Sequence, residues 1–280
     1  MKKVLIIINV SKDESVRIAD EISSFLKEKQ YETVFYSFAG FCNRAPFSEF
    51  DFVISLGGDG TVLFAARNSV EYGIPIFPVN LGQFGFIAAI QPDEWKTELQ
   101  KFLDGKSQIK DRMMINVEII RKGNVVFSQL GLNDVVVSSA KGATTVNLNA
   151  MYDDLPLCRL ISDGVIISTP TGSTAYSAAA GGPIVDPELD AMILTPVNSF
   201  SLSSRPLVLS TEGKLKISVE KSRNRDVFLR VDGQEPEELL FGDEIIIRKY
   251  EKKVRLVSCT RENFYNALRS KLNWTGGPYA

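Results

Sequence analysis

The sequence predicts an α/β plus β chain: a parallel α/β domain over residues 1–108, a mostly antiparallel β domain over 109–261, and a C-terminal helix within 262–280 that packs back on the first domain. Three observations predict it. Up to about Gly105, near-continuous apolar strands alternate with segments of helical spacing, the pattern of a parallel sheet covered on both faces. Past residue 110 the apolar period shortens toward two. The length of 280 residues holds one large or two ordinary domains, and 44% hydrophobic against 24% charged residues is the profile of a globular chain with a sizeable core.

Taken in order, Val4 to Ile8 is a continuous apolar strand, and Glu14 to Lys29 places Val16, Ala19, Ile22 and Leu26 at helical spacing. Thr33 to Phe38 and Asp51 to Leu56 are further strands, the second running into the glycine turn Gly57-Gly58. A helix from about Thr61 to Tyr72 ends at Gly73, strand Ile74 to Val79 comes next, and a helix from Pro92 to Leu103 closes at Gly105. In the β half, Met114 to Arg121 and Val125 to Gln129 flank the turn Lys122-Gly123-Asn124. Val135 to Ser138, Thr145 to Tyr152 and Leu157 to Ile161 continue, with Asp153-Asp154 as a hairpin turn. Leu215 to Val219, Val227 to Val231, Glu244 to Tyr250 and Lys253 to Ser258 complete this half, interrupted by a short helix beginning near Ser173. The terminal helix runs from about Glu262 to Leu272.

Composition removes whole classes of chemistry. There is no histidine, which excludes Ser-His-Asp and Cys-His nucleophiles, imidazole general bases and imidazole metal sites. With 32 basic against 34 acidic residues there is no global excess of positive charge, so no nucleic-acid partner is expected. Cys42, Cys158 and Cys259 are odd in number and far apart, without a CxxC pair, which argues for neither a disulfide framework nor a zinc knuckle and fits a reducing cytoplasm. The N-terminal Met1-Lys2-Lys3 and its short apolar run stop at Asn9, too soon for a signal peptide, and no apolar segment is long enough to span a membrane.

Two segments carry the chemistry. Leu56-Gly57-Gly58-Asp59-Gly60-Thr61 lies between a buried strand and a helix, where adjacent glycines permit φ > 0 and close approach of a ligand, and helix N–H groups meet an anion. That is phosphate-binding geometry, although Asp59 repels phosphates unless it binds a cation or accepts a proton; the same segment also reads as a strand-to-helix turn with Asp59 as N-cap. Neither GK[ST] nor GxGxxG is present. The second segment, Ser162 to Ser177 continuing to Gly181-Gly182-Pro183, is dense in hydroxyls at a helix start and suits the sugar and amide groups of a nucleotide, or equally a Ser/Thr-rich capped turn. Three lesser features join them. Asn133-Asp134 interrupts an apolar run as a bulge or edge would, Asn80 to Phe86 follows a strand at the sheet's carboxyl edge, and Val231-Asp232-Gly233-Gln234 has the Asp-Gly of a hairpin turn.

Taken together, these segments resemble the NAD kinase family over almost the whole chain. The order GGDGT at Gly57 to Thr61, NLGQFGF at Asn80 to Phe86, LND at Leu132 to Asp134, DGVIISTPTGSTAYS at Asp163 to Ser177, AGGPI at Ala180 to Ile184, SLSSRPLVL at Ser201 to Leu209 and VDGQ at Val231 to Gln234 is similar to that family's motif series. The resemblance implies a Rossmann-like first domain and a β-rich second domain that binds NAD and forms a homodimer or homotetramer. It implies transfer of the γ-phosphate of ATP, or of polyphosphate, to the 2′-hydroxyl of the adenosine ribose of NAD or NADH, with a divalent metal, usually magnesium, whose protein ligands it leaves unknown.

Carried over by position, the resemblance makes Asp59 the catalytic residue, with Gly58, Gly60 and Phe86 in its pocket. Asn133 and Asp134 hold the adenosine side, Thr174, Ala175, Tyr176 and Ser177 line the dinucleotide, Asp163 contributes across a subunit contact, and Gln234 joins the same pocket. The chain departs from the pattern at Asp134, often Glu in the family, at Ile161, commonly Arg or Gly, at Ala179, often Ser, and at Phe200, His in many bacterial members. Two other readings share features: a lipid kinase of the diacylglycerol or sphingosine type, which has GGDGT but not the Asp163 to Ser177 segment, and a non-catalytic NAD-binding regulatory protein.

Overall fold

The computed structural model describes residues 2–38, 47–82, 85–139, 144–221 and 226–274; Cys42, Gln83 and Phe84 lie outside the described residues. The chain begins with β1 (Lys2–Asn9), α1 (Asp13–Glu28), β2 (Tyr31–Phe38), β3 (Phe52–Gly57), α2 (Asp59–Ser69), β4 (Ile76–Asn80), α3 (Trp95–Leu103) and β5 (Ile109–Arg112). It continues through β6 (Ile115–Arg121), β7 (Asn124–Gly131), β8 (Asp134–Ser139), β9 (Val146–Tyr152), β10 (Leu155–Ser162) and β11 (Gly164–Ser168). A 3-10 turn, Thr171–Thr174, and the single-turn α4 (Tyr176–Ala179) precede β12 (Met192–Val197), β13 (Leu207–Leu209), β14 (Leu215–Val219), β15 (Val227–Val231), β16 (Glu237–Leu239) and β17 (Glu244–Lys249). The last elements are β18 (Val254–Val257) and α5 (Arg261–Leu272).

Two compact units result, one made of the residues up to Arg112 together with those from Lys252 onward, the other of Met113 to Glu251. The first unit holds one sheet in the order β2-β1-β3-β4-β18-β5, parallel except where β5 runs against β18. The strand expected at Lys253 to Ser258 in the antiparallel half therefore belongs to the first sheet. Its own residues show only that one side of a strand is buried, and the partner is chosen by tertiary pairing that period alone does not encode. On α1 the buried stripe is Ser15, Ile18, Ala19, Ile22 and Leu26, whereas Val16 is exposed, one position off the face defined by Ala19, Ile22 and Leu26. Helix α3 starts at Trp95 rather than Pro92 because its buried anchors are Trp95 and Leu99, one turn apart.

The second unit holds two antiparallel sheets, β10-β9-β14-β17-β6-β7 and β13-β12-β11-β8-β15-β16. Strands β6, β9, β14 and β15 alternate buried with half-buried residues, and their inward side chains form one core with Val135, Val137, Val165 and Ile167. The hairpin turns read from sequence are present: Lys122 and Gly123, and Asp153 and Asp154, all adopt positive φ between paired strands. The strand β12 is masked in the sequence by Pro196, which stands within it, yet it pairs with β11 along most of its length.

Candidate active site

Open α/β sheets bind ligands beyond the carboxyl ends of their strands, where the strand order reverses. In the first sheet that point lies between β1 and β3, because β2 and β3 flank β1 on opposite sides. The segments leaving these two strands are Val10 to Lys12 and Gly58-Asp59. The N–H of Leu81, just past β4, donates to Gly57 O at 2.7 Å, and the Lys12 ammonium donates to Leu81 O at 2.5 Å. A lysine, a glycine turn and the N-terminus of α2 thus meet at one sheet edge, a combination suited to an anion. In the sequence, Lys12 shows only as part of a charged stretch.

Asp59 is the first residue of α2; the N-cap is Gly58, so the N-cap reading of Asp59 does not hold. Its carboxylate instead crosses to the segment after β4. Oδ2 accepts the Phe86 N–H at 3.0 Å, and Oδ1 accepts the N–H groups of Ile87 at 3.3 Å and Ala88 at 3.0 Å. Gly85 makes room for it, since a Cβ there would stand 2.0 Å from Oδ1. In the turn, Gly57 is required for space rather than for positive φ, while a Cβ on Gly58 or Gly60 would meet nothing within 4 Å. Gly58 is extended at φ −105°, and a Cβ on Gly57 would strike the side chain of Thr61 at 2.1 Å.

The Phe86 ring is taken up in packing: it lies 6.0 Å from the Phe264 ring of α5, with the Lys271 ammonium 4.8 Å from its centroid. Behind it the Cys259 thiol donates to Ile87 O at 3.1 Å. Burial pushes that thiol up to about 12, so it remains a neutral donor.

In the second unit, the segment Leu132 to Asp134 is held from two sides. Thr169 N–H donates to Asn133 O at 2.8 Å, and the Thr169 hydroxyl donates to Leu132 O at 2.5 Å. From the other side the Asp232 carboxylate accepts the N–H groups of Leu132, Asn133 and Asp134 at 2.9, 2.8 and 3.1 Å. Gly172 passes so close that a Cβ would stand 2.0 Å from Asn133 O. Asp134 therefore opens an interior strand, not a bulge or an edge, and is 6% exposed. Burial first, and the charge of Asp232 second, push its carboxyl up to about 7. The sequence offers Asp232 only as a turn former, and it is one, with positive φ at Asp232 and Gly233.

The hydroxyl-rich segment turns mostly inward. Ser173 and Thr174 bond backbone carbonyls, and the buried Ser177 hydroxyl pairs with Thr195 at 2.9 Å; the short helix read near Ser173 is the 3-10 turn Thr171–Thr174 followed by the single turn of α4. Two buried hydroxyls, Ser168 Oγ and Thr171 Oγ1, have no partner among the described residues. Tyr176 is half exposed and its ring free to stack on a ligand. Among the described residues, the Gln234 side-chain amide donates only to the nearby Asp232 O, at 3.5 Å.

Asp163 stands apart. It precedes β11, whose far end, Ser168, pairs with Asp134, so the two lie about 16 Å apart along the strand at ~3.3 Å per residue. Its carboxylate accepts the Asn198 amide at 3.0 Å.

Comparison with known proteins agrees over both halves of the sequence. Residues 4–107 match the family described as ATP-NAD kinase N-terminal domain, and residues 132–259 that described as ATP-NAD kinase C-terminal domain. The NAD kinase of Treponema denticola is 47% identical over 99% of this chain and 98% of its own length. That of Desulforamulus reducens is 36% identical over 99% of both. Among solved structures, yeast NADH kinase complexed with NADH has a TM-score of 0.88 at 23% identity, covering 99% of this chain and 89% of that one, a likeness of fold. An NAD kinase from Archaeoglobus fulgidus in complex with ATP has a TM-score of 0.78 at 27% identity, covering 96% and 99%.

The buried carboxyl of Asp134 yields a pH test. In the unfolded chain it ionises near the ordinary carboxylate value of about 4, while in the folded chain it holds its proton to about 7. The folded state therefore binds more protons between those values, and stability falls as pH rises through them. Asp134→Asn removes this loss. Its stability relative to the parent, from urea unfolding, is expected to be greater at pH 8 than at pH 4 by about 1 kcal/mol or more; an equal difference at both pH values contradicts the assignment.

Proposed function

The chain belongs to the NAD kinase family, and on that premise we propose that Asp59 receives the 2′-hydroxyl of the adenosine ribose of NAD during transfer of the γ-phosphate of ATP to that oxygen. The observation that carries the reading is the hydrogen bonding of its carboxylate. Oδ1 accepts two N–H groups and Oδ2 one, which leaves Oδ2 with room for one more donor in a fixed direction.

A ribose hydroxyl is a poor acid and a carboxylate a weak base. Phosphoryl transfer through a loose transition state suits that pair, because the proton needs to move only late while alignment and charge neutralisation supply most of the rate. The Lys12 ammonium and the α2 N-terminus are the positive groups of this chain that would face the phosphates. Among the described residues no group of three or more metal-binding side chains stands together. The magnesium that the family implies would be carried largely by the phosphates of ATP, whose charge it would offset.

Asn133 and Asp134 hold the adenosine in this reading, with Tyr176 stacking and Thr174, Ala175 and Gln234 around it. Ser177 acts through the fold, by its bond to Thr195, and Phe86 through its N–H. The distance of Asp163 from Asp134 within one chain supports its assignment to the site of a second copy in a homodimer or homotetramer. Ile161, two residues before it, is 40% exposed, and the Phe200 N–H bonds its carbonyl with a ring that is 83% exposed, an apolar surface that a subunit contact would cover. A chain that sediments as a monomer would contradict this part. ATP is the donor the family supports, with polyphosphate as the other donor proposed. No helix of the described residues is long and apolar enough to cross a membrane, and a cytoplasmic site of action is proposed from the free cysteines Cys158 and Cys259.

Asp59→Asn tests the catalytic role. The variant is expected to keep the fold by circular dichroism and the KM for NAD within a few-fold, while kcat falls about a hundred to ten-thousandfold. Near-normal turnover would remove Asp59 from the chemistry.

A further inference from the structure

We propose that Asp232 is a positioning residue for the dinucleotide, fixing the Leu132–Asp134 segment so that Asn133 and Asp134 meet the adenosine, without touching substrate itself. This rests on the reading that those two residues bind NAD.

Asp232 is the first of two positive-φ residues in the turn after β15, at φ 48° with Gly233 at 67°. This turn brings its carboxylate, on a residue 7% exposed, against the start of β8. Oδ1 takes the N–H groups of Asn133 and Asp134, and Oδ2 that of Leu132, while the Asp232 N–H donates to Asp134 O at 2.9 Å. Four hydrogen bonds from one residue thus define the backbone on both sides of Asn133. The Asn133 side chain makes no hydrogen bond among the described residues, so the direction of its Cα–Cβ bond, set by that backbone, is what aims it.

The arrangement is costly as pure scaffolding. It sets one carboxylate beside another, where an asparagine at 232 would still accept two of the three N–H groups without the repulsion. What the carboxylate adds is the third bond: with an amide, the Nδ2 group faces the Leu132 N–H, donor against donor, and the segment loses its fixed position.

The test compares Asp232→Asn and Asn133→Ala with the parent, each purified as the full chain and assayed for kcat and for KM with NAD and with ATP. Asp232→Asn is expected to raise the KM for NAD about tenfold. Its kcat and KM for ATP should stay within about twofold, and its melting cooperative, the signature of lost ground-state positioning. Asn133→Ala is expected to raise the KM for NAD as well. A raised KM in Asn133→Ala with an unchanged one in Asp232→Asn overturns the role of Asp232 while leaving the NAD site in place. An unchanged KM in Asn133→Ala removes the NAD reading and the proposal with it. Loss of cooperative melting in Asp232→Asn makes the residue a support of the fold and overturns the positioning role.

Discussion

The three N–H groups of Phe86, Ile87 and Ala88 that converge on the Asp59 carboxylate set the requirements for the surrounding sheet edge. The segment after β4 must turn back toward α2, and Gly85 is there because any side chain would displace the carboxylate. The segment must also stay put. Asn80 N–H to Ile90 O and Ile90 N–H to Pro78 O tie its far end to β4, the Cys259 thiol holds the Ile87 carbonyl, and the Phe86 ring sits against α5. The chain beyond β17, with β18, Cys259 and α5, thus braces a carboxylate that the chain made about two hundred residues earlier. A weak base held this firmly suits phosphoryl transfer, which asks chiefly for alignment.

The second unit repeats the device with a different purpose. Asp232, like Asp59, accepts three backbone N–H groups of a distant segment, two on Oδ1 and one on Oδ2. In the first unit the carboxylate is the group being positioned; in the second it does the positioning. Both solve one problem, that of fixing a loop whose N–H groups lie beyond the reach of a β ladder; Gly85 admits the carboxylate in the first unit, while in the second Gly172 admits the Asn133 backbone on the side opposite Asp232.

The division into an α/β and a β half, most strands and the chemistry-bearing segments were legible because each is local. Val4 to Ile8 and Val227 to Val231 state their burial in their own period, and Lys122-Gly123 and Asp153-Asp154 state their turns. What the sequence hid was non-local. Nothing in Val254 to Val257 says which sheet it joins, Pro196 masks a strand held by its neighbours, and Val16 looks as apolar as Ile18 without sharing its face. At the candidate site, Asp59 was legible from its glycine setting, and Asn133 and Asp134 through the resemblance to the NAD kinase family. Backbone donors carry no letter in a sequence, so the clamp on Asp59 and the role of Asp232 were not. The dense hydroxyls of Ser168 to Ser177 left two readings open in the sequence, because a hydroxyl serving a carbonyl of the fold reads the same as one awaiting a ligand.

The position of the transferred phosphate tests the account most directly. Purified chain incubated with ATP, magnesium and NAD, with phosphorus NMR of the product, is predicted to give a phosphomonoester on the 2′-oxygen of the adenosine ribose, that is NADP, together with ADP. Consumption of ATP without phosphate at that oxygen, with NADH failing in the same way, would contradict it.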